Sequence, residues 1–267
     1  MSARLHIYWP NNFTGTIGRA KLDGTDVDQN FITGSSNLVS IALHRDHIYW
    51  GNAGGGGLGN APIGRARLDG TDVEQNWLMT GGAAGVAVHG DHIYWSNDGG
   101  PGALGGGQSI GRARLDGTEV DQSFITGASL PNGVAVNRRH IYWANAGGGT
   151  VGRARRDGTE VNQSFISEVI KNIGPSGMAV DDEYLYWTNT GAIGRARLDG
   201  TQVDQSFVTG PVGAEGAVAV NRTHIYWANA DNTIGRARLD GTDVHQNFIT
   251  GASGLQGVAV FMDGYRS

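Results

Sequence analysis

The chain has 267 residues, 45 of them glycine and none cysteine, and 20 basic against 25 acidic side chains leave a net charge of −5. The missing cysteines exclude disulfides and thiolate metal sites, and the absence of a basic tail or stripe argues against a nucleic-acid partner. No apolar run approaches membrane-spanning length, and the first strand candidate begins at about Leu5, which leaves no room for a signal peptide. The sequence as it stands therefore reads as a soluble, cytoplasmic monomer without a membrane partner, or as an exported one if a leader has been removed.

The first element, His6 to Trp9, is β-branched and aromatic and ends in Tyr8-Trp9. The same ending recurs at Tyr49-Trp50, Tyr94-Trp95, Tyr142-Trp143, Tyr186-Trp187 and Tyr226-Trp227, at spacings of 41, 45, 48, 44 and 40 residues. The copy around Trp95 displays a full unit: Val86 to Val88, His92 to Trp95, Ile110 to Leu115 and Val120 to Thr126. Each segment has strand length, is bounded by Gly, Asn or Asp, and lacks proline. Asp-Gly pairs at Asp23, Asp69, Asp116, Asp157, Asp199 and Asp240 supply turn residues tolerant of positive φ between the third and fourth segments.

A period in the low forties holding four short strands marks a radial array, because one such unit cannot bury its own faces. Six units of four strands predict an all-β fold, a six-bladed β-propeller of four-stranded antiparallel blades, as a single domain over 1–267. The expected blades are 257–260 with 5–33, then 39–80, 85–126, 133–167, 177–209 and 217–250. The chain opens on a second strand and closes on a first, Gly257 to Val260. Pairing of these ends is expected to close the ring and cover a strand edge.

The Gly-Val-Ala-Val, Ile-Tyr-Trp and Ile-Gly-Arg-Ala-Arg-Leu-Asp-Gly-Thr blocks resemble the YWTD (class B) repeats of the low-density lipoprotein receptor family, over the whole chain. That resemblance implies a six-bladed propeller acting as a rigid binding platform. One departure is systematic: the family's Asp after Tyr-Trp-Thr is Asn here, at Asn11, Asn52, Asn97, Asn145, Asn189 and Asn229. The sequence as it stands shows none of the family's flanking growth-factor-like modules, so the resemblance does not carry over receptor biology.

The copies differ in only two connections. From the third-strand aliphatic to the fourth-strand aromatic is 14 residues in every unit (Ile110 to Phe124, for example), and from first to second strand the spacing is 5 (Val88 to Ile93). From Trp to the next third-strand aliphatic it is 8, 13, 15, 8, 6 and 7 residues, and the link from blade to blade is longest at Ser167 to Gly177. The variable loops share one end of the propeller, the upper face, as expected of a binding surface grafted on a constant scaffold. Gly51 to Pro62 and Ser96 to Ser109 form a glycine-rich pair on neighbouring blades.

Asn52, Asn97, Asp98, Asn132, Glu215, Asp231 and Gln256 are the candidate ligand contacts of the upper face. The repeated Trp and Tyr are expected to pack between blades rather than to stack sugars. The repeated Asn are expected to make structural hydrogen bonds. Arg19 and its counterparts, each two residues before a second cation, are expected to span the wedge between blades toward Asn, Asp and Gln side chains, with polyanion binding the alternative. His44 and His89 follow innermost strands, at the position of Asn137, Asp181, Asn221 and Phe261 elsewhere. His44, His89 and Asp181 are the candidate metal ligands at the lower mouth. No nucleophile motif stands on the upper face and no cofactor is indicated. The leading reading is a non-enzymatic propeller presenting its upper face and channel mouth to a protein, peptide or glycan. The alternatives are an enzyme of lyase, hydrolase or cyclase type in the central channel, and a multivalent lectin with one site per blade.

Overall fold

The computed structural model describes residues 5–52, 61–97, 108–167, 176–210 and 216–261. They form 24 strands, β1 (His6–Asn11) to β24 (Ala259–Val260), in six four-stranded antiparallel sheets. The third blade shows the plan, running outward from the axis as β8 (Val86–His89), β9 (His92–Asn97), β10 (Ser109–Arg114) and β11 (Asp121–Thr126). The first blade takes its innermost strand from the far end of the chain. Its order is β24-β1-β2-β3, where β2 is Thr16–Lys21 and β3 is Asp28–Ile32, and Ile7 and Tyr8 pair with Val260 and Ala259. Among the described residues no helix is long and apolar enough to cross a membrane.

The repeated residues build this ring. All six second-strand Trp are fully buried, in clusters that join one blade to the next; Trp95 packs with Tyr49, Ile63 and Leu78 of the preceding blade. Each Trp lies over the Gly opposite it on the third strand: Gly111 pairs with Trp95, and a Cβ on Gly111 would stand 2.2 Å from Trp95 Cε2. The other five glycines meet their Trp as closely. Gly111→Ala is therefore expected to destabilise by about 1–3 kcal/mol through overpacking, read as a lower urea midpoint with an unchanged slope. An unchanged midpoint would mean that the indole does not hold the glycine's place.

Further out, every third–fourth strand ladder slips register after the third-strand aliphatic, between Ile110 and Arg112 in the third blade. Beyond the slip the inner Arg lies on the fourth-strand aromatic: Arg112 stands 3.8 Å from the Phe124 ring centre and Arg195 3.6 Å from that of Phe207. Arg153 and Arg195 also reach the backbone carbonyls of Leu198 and Leu239 on the next blade, at 3.4 and 3.3 Å. These guanidinium groups do span the wedge, but chiefly through aromatic faces and backbone carbonyls rather than through Asn, Asp and Gln side chains. An aromatic face and a carbonyl are what neighbouring sheets present there. The outer cations pair instead with side chains on their own hairpin, as Arg67 does with Asp72 at 2.6 Å and Arg114 with Glu119 at 2.9 Å. Fourth-strand glutamines add links between blades; Gln29 donates to Thr250 O across the closure and Gln122 to Met79 O, both at 3.1 Å.

Candidate functional site

Six innermost strands line the axis: β24, β4 (Leu38–His44), β8, β12 (Pro131–Val136), β16 (Met178–Val180) and β20 (Val218–Val220). Their glycines let the backbones meet at the upper end, where a Cβ on Gly133 would lie 2.4 Å from Ser176 O. A ring of Ile41, Val86, Val134, Met178, Val218 and Val258 borders both an upper cavity of about 220 Å³ and a lower one of about 830 Å³. This aliphatic collar divides the channel.

The upper cavity is the smaller of the two, lined by glycine, alanine, serine and aliphatic residues, with Asn132 and Gln256 on its wall. Asn132 donates from Nδ2 to Ser176 Oγ at 3.1 Å. The other upper-face candidates do not converge on it. Asn97 is fully buried, and all its polar atoms are engaged: Nδ2 donates to Ser109 Oγ and Gln122 O, and Oδ1 accepts from Trp95 Nε1. Asn52 is buried and donates to Pro62 O at 3.0 Å. Both are scaffold residues, as are Asn11, Asn145, Asn189 and Asn229, which like Asn97 donate to a fourth-strand carbonyl. Asp231 accepts from the backbone and hydroxyl of Thr233 and thereby shapes its own turn. Asp98 and Glu215 lie outside the described residues, as do most of the two glycine-rich loops.

Two apolar side chains on the upper face stand outside the repeat and were not anticipated. Phe13, in the loop from β1 to β2, is 80% exposed, and its backbone N–H donates to Ser253 O at 3.2 Å. Leu130, in the link from the third to the fourth blade, is 51% exposed at φ 46°, a left-handed conformation that leucine rarely adopts. Its carbonyl accepts from Ala146 N at 3.2 Å, which anchors the strained residue. A signal for Phe13 was in the sequence: five of the seven Phe occupy the fourth-strand position, and Phe13 and Phe261 do not.

At the lower mouth His44, His89 and Phe261 line the larger cavity, and Asp181 does not join them. Its carboxylate is turned onto its own hairpin, where it accepts from Glu183 N, Tyr184 N and the Tyr186 hydroxyl. Asn137 and Asn221 likewise cap their own hairpins, through the N–H groups of Arg139 and His140 and of Thr223 and His224. The metal set of His44, His89 and Asp181 is therefore not assembled. Among the described residues, no three His, Cys, Asp or Glu side chains are placed to hold an ion. The histidines that open second strands serve the scaffold, each set against the Tyr two residues on, as His92 is against Tyr94 with ring centres 6.2 Å apart.

Burial, followed by the nearby positive charge of Arg156, pushes His89 down to about 4; burial and Arg45 lower His44 as well. Both imidazoles are neutral at pH 7. Because the unfolded chain then binds more protons than the folded one, the stability held by neutral His89 is present above the ordinary histidine value near 6.5. It is lost as the pH falls toward 4. His89→Asn is expected to flatten the fall in melting temperature between pH 6.5 and 4; an unaltered profile would show that His89 titrates normally.

No protein-family model matches the sequence, and comparison with curated proteins finds no match. Among solved structures the chain is similar to one described as a nidogen/laminin complex, with a TM-score of 0.74 at 17% identity over 95% of this chain and 97% of that one. A computationally designed protein, Ika8, aligns with a TM-score of 0.44 at 15% identity, over 91% of this chain and 71% of that one. The chain thus has the six-bladed propeller fold that its likeness to the YWTD repeats implies.

Proposed function

We propose that the protein is a binding propeller whose upper face engages a protein or peptide partner. The observation that carries this reading is the pair of exposed apolar residues, Phe13 and Leu130, held by ordered backbone on the face that bears the variable loops. Exposed large apolar groups fixed on a rigid frame are what a partner's pocket uses as anchors, at little entropic cost on binding. Phe13 belongs to the first blade and Leu130 to the link entering the fourth, so a partner touching both spans the face around the channel mouth. A solved structure sharing the fold is a nidogen/laminin complex, an assembly of proteins, which agrees with this reading without naming a partner here.

The repeated Trp rings are buried and the inner Arg groups stack on the fourth-strand aromatics, so neither set of repeated side chains supports a sugar-stacking or polyanion reading. The enzyme reading rested on His44, His89 and Asp181, which do not converge. Selection of a displayed random-peptide library on the immobilised protein tests the proposal. Selected peptides are expected to bind saturably and to lose about tenfold or more in affinity on Phe13→Ser or Leu130→Ser, the scale of one apolar anchor. Selected peptides indifferent to both substitutions, or a library yielding none, would contradict it.

A further inference from the structure

We infer that the lower half of the axial channel is a binding site for an amphiphilic acid, an aliphatic or aryl chain ending in a carboxylate. The cavity of about 830 Å³ lies within the size range of small-molecule pockets. Each of the six innermost strands contributes three consecutive aliphatic residues to its wall, as Val86-Ala87-Val88 does, and the collar closes its upper end. Such a wall offers an apolar chain nothing but dispersion contacts and release from water.

The rim is where the sixfold pattern breaks. On one arc Asn137, Asp181 and Asn221 turn back onto their own hairpins. On the other arc, over three consecutive blades, Phe261, His44 and His89 line the mouth instead. The hairpins after His44 and His89 turn through Arg45 at φ 56° and Gly90 at φ 66°, so neither needs a side-chain cap. His44 Nε2 is buried and makes no hydrogen bond.

A fourth departure reaches the same arc from the next blade. Arg156 stands where five copies carry leucine: Leu22, Leu68, Leu115, Leu198 and Leu239. Its Nη2 donates to His89 O at 3.4 Å, while its Nε is buried without a partner. Arg45 also lines the mouth. The carboxylate beside it, Asp46, is already held by His47 at 2.8 Å and Arg67 at 3.6 Å. The arc therefore sets the Arg45 guanidinium and His44 Nε2 at an apolar well, with Arg156 behind His89 and the Asp46 carboxylate of the same lining already engaged, the complement of a carboxylate on a hydrocarbon chain. Phe261, His44 and His89 depart from the Asn and Asp of the other three blades along one edge of one cavity, and Arg156 stands behind His89 at that edge.

Isothermal titration with decanoate below its micellar range, and with decanol as the uncharged analogue, tests the inference. Decanoate is expected to bind once per chain and at least tenfold more tightly than decanol. Arg156→Leu restores the residue of the other five blades and should leave the fold intact; it is expected to weaken decanoate at least tenfold and decanol little. Val180→Phe, which narrows the well, is expected to weaken both. Absence of saturable decanoate binding, equal affinity for the alcohol, or decanoate binding unchanged in Arg156→Leu would overturn the inference.

Discussion

Truncation after Gln256 is expected to lower the melting temperature by roughly 10 °C or more and to broaden the transition. On folding, β24 covers the inner edge of β1, placing Val260 opposite Ile7 and Ala259 opposite Tyr8. It also places Val258 in one interblade cluster and Ala259 in the next. Removing it leaves a ladder edge exposed, opens two apolar clusters to water and empties one sector of the channel wall. A loss of several kcal/mol moves the midpoint of a domain this size by about 2–4 °C for each kcal/mol. Circular dichroism melts of the full and truncated chains measure the effect. Coincident cooperative melts would show that the ring does not depend on this closure.

Trp95→Ala is expected to cost about 3–5 kcal/mol, the range for large buried aromatics. The indole is fully buried between the second and third blades, and its N–H is satisfied by Asn97 Oδ1 at 3.1 Å. Deletion leaves both a cavity and an orphaned acceptor, whereas Trp95→Phe removes less volume and should cost less. Urea unfolding followed by far-ultraviolet circular dichroism separates the two variants. A cost below about 1 kcal/mol for the alanine variant, together with free quenching of wild-type fluorescence by acrylamide, would return the tryptophans to the surface as sugar platforms.

The architecture was legible because it is written six times. Strand patterns, Asp-Gly turns and the split first blade each follow from local sequence and from the strand count. Side-chain roles that depend on contacts between strands were harder to see. Asn97 sits at a strand end beside a variable loop and reads as a rim residue. It is buried because its amide reaches the Gln122 carbonyl, on a fourth strand that slips register against the third, a slip no pattern of apolar residues reveals. The inner Arg likewise reads as a partner for polar side chains until the slip brings Phe124 beneath it.

Asp181 was grouped with His44 and His89 because equivalent repeat positions share a place on the ring. Equivalent backbone positions do not fix side-chain direction, and an Asp or Asn there is drawn onto its own hairpin N–H groups. His44 and His89 follow hairpins that turn through Arg45 and Gly90 at positive φ, and both line the mouth. Arg156 and Phe13 were less legible for a different reason. Loop length does not mark them; the signal is a single residue breaking an otherwise fixed column, arginine among leucines and phenylalanine outside the fourth strand.

On the proposed reading, repeated residues build the ring and residues that break the repeat bind the partner. Titration of a selected upper-face peptide onto two surface variants tests it most directly. One variant is Phe13→Ser/Leu130→Ser; the other is Arg67→Ala/Arg114→Ala, which removes repeated exposed cations whose surface ion pairs contribute little to stability. About tenfold or greater loss of affinity is expected in the first and wild-type affinity in the second. Loss in the second with retention in the first would contradict it.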